Sequence, residues 1–427
     1  MNAKRPRIRP DAKERAALTQ LSPNAEPSLE QAREGEAGVA TELDVLYARA
    51  VWSRVIEPGD AVAGALIGAL GASSALEMLA DVDASQQLET SAAAAGVELN
   101  RRTLAAAVAR WRHRLDRSAT AADLDRAIAS GLQLIGPECS LWPAALNDLG
   151  VHAPQLLWVC GEAAFLGLPS LAVVGARACT GYGANVTAEL VDSAGTAGVA
   201  IVSGAAYGID AVAHRAALAS GAPTVAVLAG GADRAYPAAH ESLLDRIAGA
   251  GAGAVCSEMV PGAAPTRWRF LQRNRSIAAL ATATLVTEAG MRSGSLNTAG
   301  HAAELGRDLG AVPGPVTSAA SAGCHRLIRE YGATLVSNPD ELREFLGLGD
   351  AAGQLIDGIV DRQTASHRRV LDALPLRGIR SAGEVALAAG LGTEEARGVL
   401  AELEMLGCVA RAEVSGDLAR WRLVRRE

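Results

Sequence analysis

Lysine is nearly absent from this chain. Lys4 and Lys13 are its only lysines, and every other basic residue is arginine. Any anion site in the folded part must therefore be built from arginine, histidine or backbone N–H groups. Arginine suits bidentate phosphate contacts and stacking on bases. Aromatic residues are also scarce, with three Phe, six Trp and five Tyr in 427 residues. The six cysteines are scattered, with no C-x-x-C and no histidine at zinc-ligand spacing. This excludes the usual zinc motifs and fits a reducing cytoplasm. Although 49% of residues are hydrophobic, no run reaches about 18 bulky apolar residues, so no membrane association is expected. The basic start MNAKRPRIRP has no apolar region behind it, and no secretory signal is expected. A net charge of −7 argues against a protein coated in nucleic acid, but not against a local basic groove. The stretch 171-LAVVGARACTGYG-183 lacks the G-x-G-x-x-G spacing of a dinucleotide site and places Arg177 where that motif keeps bare backbone. No cofactor and no metal is expected.

The chain is long enough for two to four domains. Residues 1–40 are polar and carry Pro6, Pro10, Pro23 and Pro27, which predicts a disordered basic tail. Residues 41–130 show apolar residues at helical spacing in 43–57, 61–71 and 102–115, the pattern of a small helical domain. From 131 to 345 short β-type runs (171–176, 199–204, 224–230, 254–258, 284–289 and 309–314) alternate with helical stretches. Near-continuous Val, Ile, Leu and Ala predict strands buried on both faces. The fold class is thus α/β, a Rossmann-like open parallel sheet. Residues 346–364 read as a linker. Residues 365–427 read as three helices and a hairpin, the order of a winged helix.

Ligands of open α/β sheets bind at the carboxyl ends of the strands. The polar loops of this chain collect there: Gly175–Arg177, 203-SGAAYGIDAVAH-214, 230-GGADRAYP-237 and 290-GMRSGSLNTAG-300. One glycine loop alone is usually only a tight turn, but strand-end loops share one crevice. Ser293, Gly294 and Ser295 precede a helix and suit either an anion or an ordinary cap. In 265-PTRWRFLQRNRSIAAL-280, Arg267, Arg269, Arg273 and Arg275 alternate with Trp268 and Phe270, and no acid occurs between Glu258 and Glu288. Arginines beside aromatics are the composition of a single-strand groove. Asp210 and His214 stand four apart, as an acid/base pair or, better, a structural hydrogen bond. Glu288 reads as an arginine counter-ion or loop organiser, because no nucleophile or metal ligand stands near it in sequence. No catalytic residue is assigned.

Several motifs in the same order, V-G-A-R, S-G-x-x-x-G-I-D-x-x-A-H, Y-P, F-x-x-R-N-R-x-I-A, E-A-x-x-R-S-G-S-L-x-T-A and V-P-G with G-C-x-x-L-I, resemble the DNA-processing protein A (DprA/Smf) family over about 135–336. The resemblance implies a Rossmann-like domain that binds single-stranded DNA without sequence preference. It also implies protection of strands in DNA uptake or recombination, help in loading a RecA-type recombinase, and a homodimer. It assigns the DNA contacts to Arg177, Ser203, Gly204, Asp210, His214, Phe270, Arg273, Asn274, Arg275, Ser293, Gly294 and Ser295. Arg267 and Arg269 join them by composition. Tyr207 stands where the family usually has arginine, and Ala238 where lysine is common. Tyr207 can still stack on a base, and the two missing cations imply a shallower salt dependence. Helix 393–407 holds Glu394, Glu395, Glu402 and Glu404 against Arg397, so the last domain is expected to pack on protein and not to read duplex DNA.

Two alternatives belong to other classes. One is a nucleotide-processing enzyme similar to the lysine-decarboxylase-like nucleoside monophosphate phosphoribohydrolases, whose P-G-G-x-G-T-x-x-E motif is missing here. The other is an interaction scaffold that has lost its ligand.

Overall fold

The computed structural model describes residues 8–23, 41–249, 251–348, 365–375, 378–405, 408–412 and 419–424. The described chain forms two units, one ending at Gly347 and one starting at Leu348. The first helix lies inside the segment expected to be disordered. Asp11 opens α1 (Ala12–Leu21) by accepting from Glu14 N at 2.9 Å, and Glu14 accepts from Asp11 N at 2.8 Å. This reciprocal cap is a strong local start signal. Ala17, Leu18 and Leu21 then fall on one buried face. Lys4, Arg5 and Arg7 lie outside the described residues.

Helices α2 (Glu42–Val55), α3 (Ala61–Leu70), α4 (Ala72–Ala80), α5 (Ala84–Ala94), α6 (Arg101–Arg114) and α7 (Arg117–Ala129) pack with α1. Their centre is an edge-to-face pair, Trp52 and Trp111, with centroids 5.4 Å apart. Among the described residues no single helix is long and apolar enough to cross a membrane, and α3 and α4 are bent by 112°. The helical core is continuous with Leu134, Trp158 and Val260 of the sheet region. Gly64 makes this docking close, since a Cβ there would sit 1.9 Å from Val151 O.

The sheet follows as β1 (Gln133–Ile135), β2 (Leu157–Gly161), β3 (Ser170–Gly175), α8 (Gly181–Thr196), β4 (Ala200–Ser203), α9 (Ile209–Ser220), β5 (Thr224–Leu228), α10 (Glu241–Ala248) and β6 (Gly253–Ser257). It continues with α11 (Arg267–Leu280), β7 (Ala283–Glu288), α12 (Ser295–Glu304), β8 (Asp308–Ala311), α13 (Ala322–Glu330), β9 (Thr334–Leu335) and α14 (Pro339–Phe345). The strand order is β1-β2-β6-β5-β4-β3-β7-β8-β9. The strands expected from sequence pair in parallel. The expectation of a wholly parallel sheet needs correction at one edge, where β1 and β2 are antiparallel. In β2, Leu157 and Val159 point into the sheet core while Trp158 enters the helical core. That alternation marks a strand between two cores, and it breaks the aliphatic run by which the other strands stand out in the sequence.

The order also locates the switch point. From β3 the chain runs outward through β4, β5 and β6, then returns to place β7 on the other side of β3. Loops leaving β3 and β7 therefore diverge and open a crevice between them. Their pairing carries a register shift between Val174 and Gly175, the local irregularity that bends a strand end.

The second unit contains α15 (Ala365–Ala373), β10 (Arg380–Ser381), α16 (Ala382–Ala389), α17 (Thr393–Met405), β11 (Val409–Ala412) and β12 (Arg420–Leu423). Its small sheet is antiparallel in the order β10-β12-β11. Val370, Val385, Leu400, Leu403 and Trp421 form a core of its own. The turn between β11 and β12, and nearly all of the expected linker 346–364, lie outside the described residues.

Candidate nucleic-acid interface

Two glycines and one carboxylate shape the first loop of the crevice. A Cβ on Gly175 would meet the Ile209 side chain at 2.6 Å and Glu288 O at 2.7 Å. Ala176 N donates to Glu288 O at 2.7 Å. The buried Glu288 carboxylate accepts from Thr180 N and from the Thr180 hydroxyl, both at 2.8 Å. Gly183 leaves room for it, as a Cβ there would lie 2.2 Å from Glu288 Oε2. Of the two readings of Glu288, loop organiser holds, and its partner is Thr180 and not an arginine. Arg177 projects from the tip of this braced loop and is exposed.

The loop after β4 crosses the first one. Gly208 has φ 77°, and Ile209 N donates to Ala176 O at 3.1 Å. Ser203 is fully buried and donates to Val173 O at 2.7 Å. It braces two strands beneath the crevice and does not line it. Gly204 is interior for a related reason, since a Cβ there would fall 2.2 Å from Arg273 Nη1. Ala205 takes φ 52°, a region that L residues rarely adopt. Its carbonyl accepts from His240 Nδ1 at 2.9 Å.

Arg273 is the centre of the site. It is 6% exposed, and its Nη1 donates to Gly204 O at 2.7 Å and to Val227 O. Nε donates to Asn274 Oδ1 at 3.3 Å, and the side chain lines the cavity. Burial pushes this guanidinium down to about 10, with Asp210 opposing the shift, so it stays charged at neutral pH. Burial pushes the Asp210 carboxyl up, and the charge of Arg273 resists that. Phe270 carries the Arg177 guanidinium 5.0 Å from its ring centroid and that of Arg273 at 5.8 Å. Both fall within cation–π range.

The third wall is the N-terminus of α12. Ser293 and Ser295 hydroxyls lie 2.7 Å apart. Asn274 Nδ2 donates to Gly294 O at 3.4 Å and Asn297 Oδ1 at 3.2 Å, tying α11 to this loop. The open cavity between these walls measures about 600 Å³. Arg177, Asp210, Phe270 and Arg273 line it on one side, and Asn274, Ser293, Gly294 and Ser295 on the other.

Other expected contacts fall elsewhere. Tyr207 is exposed beyond the cavity lining and meets His240 edge-on at 4.9 Å. His214 is buried, with Nδ1 donating to Thr224 Oγ1 at 2.8 Å, while that hydroxyl donates to Ile201 O. Burial and the nearby Arg273 push it down to about 3, so it is neutral. Asp210 instead accepts from Ala206 N at 3.3 Å. Neither the acid/base pair nor the Asp–His hydrogen bond forms. Arg269 is held by Glu57 through two bonds of 2.8 Å. Arg275 is enclosed by Glu258, at 2.6 and 2.7 Å, and by His152 O at 3.0 Å. Both guanidiniums are internal braces, correcting their reading as groove cations. Arg267 is exposed but outside the cavity lining.

Sequence reasoning missed two lining or rim residues. Arg292, exposed beside Ser293, lines the cavity. Tyr236 is half-exposed and packs on Phe270 with centroids 5.5 Å apart. Its signal was the Tyr-Pro dipeptide, which reads as a turn. Among the described residues no cluster of His, Cys, Asp and Glu is placed to hold a metal ion.

The match to the family described as DNA recombination-mediator protein A covers residues 133–347, the whole crevice. A Mycobacterium tuberculosis protein described as a DNA processing protein DprA is 45% identical over 329 residues, 74% of this chain and 82% of that relative. The DNA processing protein DprA of Streptococcus pneumoniae is 44% identical over 204 residues, 48% of this chain and 71% of the relative. The X-ray structure of DprA from Streptococcus pneumoniae superposes with a TM-score of 0.56 at 30% identity, covering 70% of this chain and 97% of that one.

Proposed function

Because the chain belongs to the DNA recombination-mediator protein A (DprA/Smf) family, we propose that its crevice binds single-stranded DNA without sequence preference. One observation carries this reading. Arg273, locked by two carbonyls, lines the cavity beside Arg177, whose guanidinium lies over Phe270, and the Ser293–Ser295 helix start. A pre-aimed guanidinium suits a phosphate, and a cation-backed aromatic rim suits a base face. Such contacts ignore base identity, as every base has a π-face.

The wider role follows the family. The protein shields single strands and assists a RecA-type recombinase in DNA uptake or recombination, as a cytoplasmic homodimer with no membrane role. The domains divide at about 40, 130, 345 and 364. The last is a winged helix whose acidic α17 meets protein, with Arg397 paired to Glu394 and Glu402 to His367. The role is non-catalytic. Glu288, the carboxylate best placed for an enzymatic alternative, has both oxygens bound by Thr180.

Oligo-dT binding by wild type, Arg177→Ala and Arg273→Ala tests this, with AMP hydrolysis measured alongside. Binding at low salt, lost in Arg273→Ala, supports the reading. Absence of binding in the wild type would sink it, and AMP turnover abolished by Glu288→Gln would favour the enzyme.

A further inference from the structure

The first turn of α11 faces two ways. Phe270 lines the crevice, while Trp268, two residues earlier, projects from roughly the opposite side of the helix. Trp268 is 57% exposed. The other tryptophans are buried or half-buried, Trp52, Trp111, Trp158 and Trp421 in cores and Trp142 at a partly covered position. Trp268 is thus the one tryptophan with most of its surface bare, and its ring offers a flat face on which a base can stack. Trp268 lines a second cavity of about 420 Å³, whose facing wall carries Arg110, His113 and Arg114 from the end of α6. A further cavity of about 520 Å³ shares His113 and Arg114 and extends to Arg126.

The acids of this cleft already have partners. Glu57 accepts from Arg269 at both oxygens and from Arg114 at 2.9 Å. Asp60 caps α3 and accepts from Trp111 Nε1 at 3.0 Å. Asp116 caps α7, and Asp123 pairs with Arg54. Arg110 approaches Asp60 only to 3.9 Å. Facing solvent are Arg110, His113 and Arg126, with Arg267 next to Trp268, so that three arginines outnumber the one exposed acid there, Asp116. Glu57, bridging Arg114 of α6 and Arg269 of α11, holds the two walls in register, so the indole stands on a fixed support.

We propose that this cleft is a second contact for the same DNA strand, reached by crossing the first turn of α11. One base stacks on Trp268, and adjacent phosphates lie against Arg110, His113 and Arg267. The inference rests on the crevice binding single-stranded DNA. An acidic peptide would match the cations but would leave the single exposed indole without a purpose.

The test compares oligo-dT of about 6 nucleotides, enough for one site, with oligo-dT of about 20, enough to span both. Trp268→Ala is expected to lower affinity for the long strand about tenfold and to leave the short one unchanged. Trp268→Phe retains most of the long-strand affinity, and Arg273→Ala weakens both lengths. Equal binding of the long strand by wild type and Trp268→Ala would overturn the second contact alone. A wild type that binds neither length would overturn the crevice reading, and this one with it.

Discussion

Arg177→Ala should flatten the salt dependence of DNA binding by a predictable amount. For single strands, log K falls with log salt at about −0.7 per phosphate neutralised. Sequence composition alone offered Arg177, Arg267, Arg269, Arg273 and Arg275, which gives a slope of about −3.5. The structure withdraws Arg269 and Arg275 into carboxylate pairs and puts Arg267 outside the cavity. It adds Arg292, leaving Arg177, Arg273 and Arg292 at the crevice. The expected slope for a short strand is then about −2. Raising salt fourfold should weaken binding by roughly 20-fold in the wild type and roughly 7-fold in Arg177→Ala. Fluorescence anisotropy of a labelled oligo-dT of about 6 nucleotides, repeated over a salt series, reads the slope directly. Arg177 is exposed, so its removal leaves the fold intact. A wild-type slope near −3.5, or an identical slope in the variant, would refute this assignment of cations.

Gly204→Ala puts a methyl 2.2 Å from Arg273 Nη1. It should lower stability by about 1–3 kcal/mol through the lost charged hydrogen bonds, and weaken oligo-dT binding as Arg273→Ala does. Thermal melts and anisotropy measure the two effects. His214 makes a separate prediction. Its folded pKa of about 3 lies below the ordinary 6.5, so the unfolded chain binds the extra proton between those values. Its contribution is complete above pH 6.5 and is lost as pH falls toward 3, by at most about 1.4 kcal/mol per unit. Urea midpoints across pH 4 to 7 should therefore change less steeply in His214→Asn than in wild type. Glu258→Ala strands the buried Arg275 charge and should cost about 3–5 kcal/mol. Crevice affinity measured on the folded fraction should stay the same, and a selective loss of DNA binding would return Arg275 to the groove.

How far the sequence reached depends on which forces are local. Strands β3 to β8 were legible because burial on both faces writes itself as unbroken Val, Ile, Leu and Ala. Strand β1 was not, being only three residues long, and in β2 Trp158 and Cys160 interrupt the aliphatic run because the strand lies between two cores. Helix α1 was hidden by proline and charge on either side, although Asp11 and Glu14 carry its start signal in plain view. At the site, residue type and spacing placed Arg273, Phe270 and Asn274 together, because one helix sets their relation. They could not tell a free arginine from a paired one.

The reason is visible in the partner of Arg269. Its carboxylate comes from Glu57, 212 residues away, so a window of sequence without acids said nothing about the acids present in space. The same fact gives this paired arginine a purpose the composition did not suggest. By holding Glu57, which also holds Arg114, it fixes the end of α6 against the start of α11. Phe270 and Trp268 flank Arg269 in sequence. An arginine mistaken for a phosphate ligand is better understood as the brace that presents both aromatic rings.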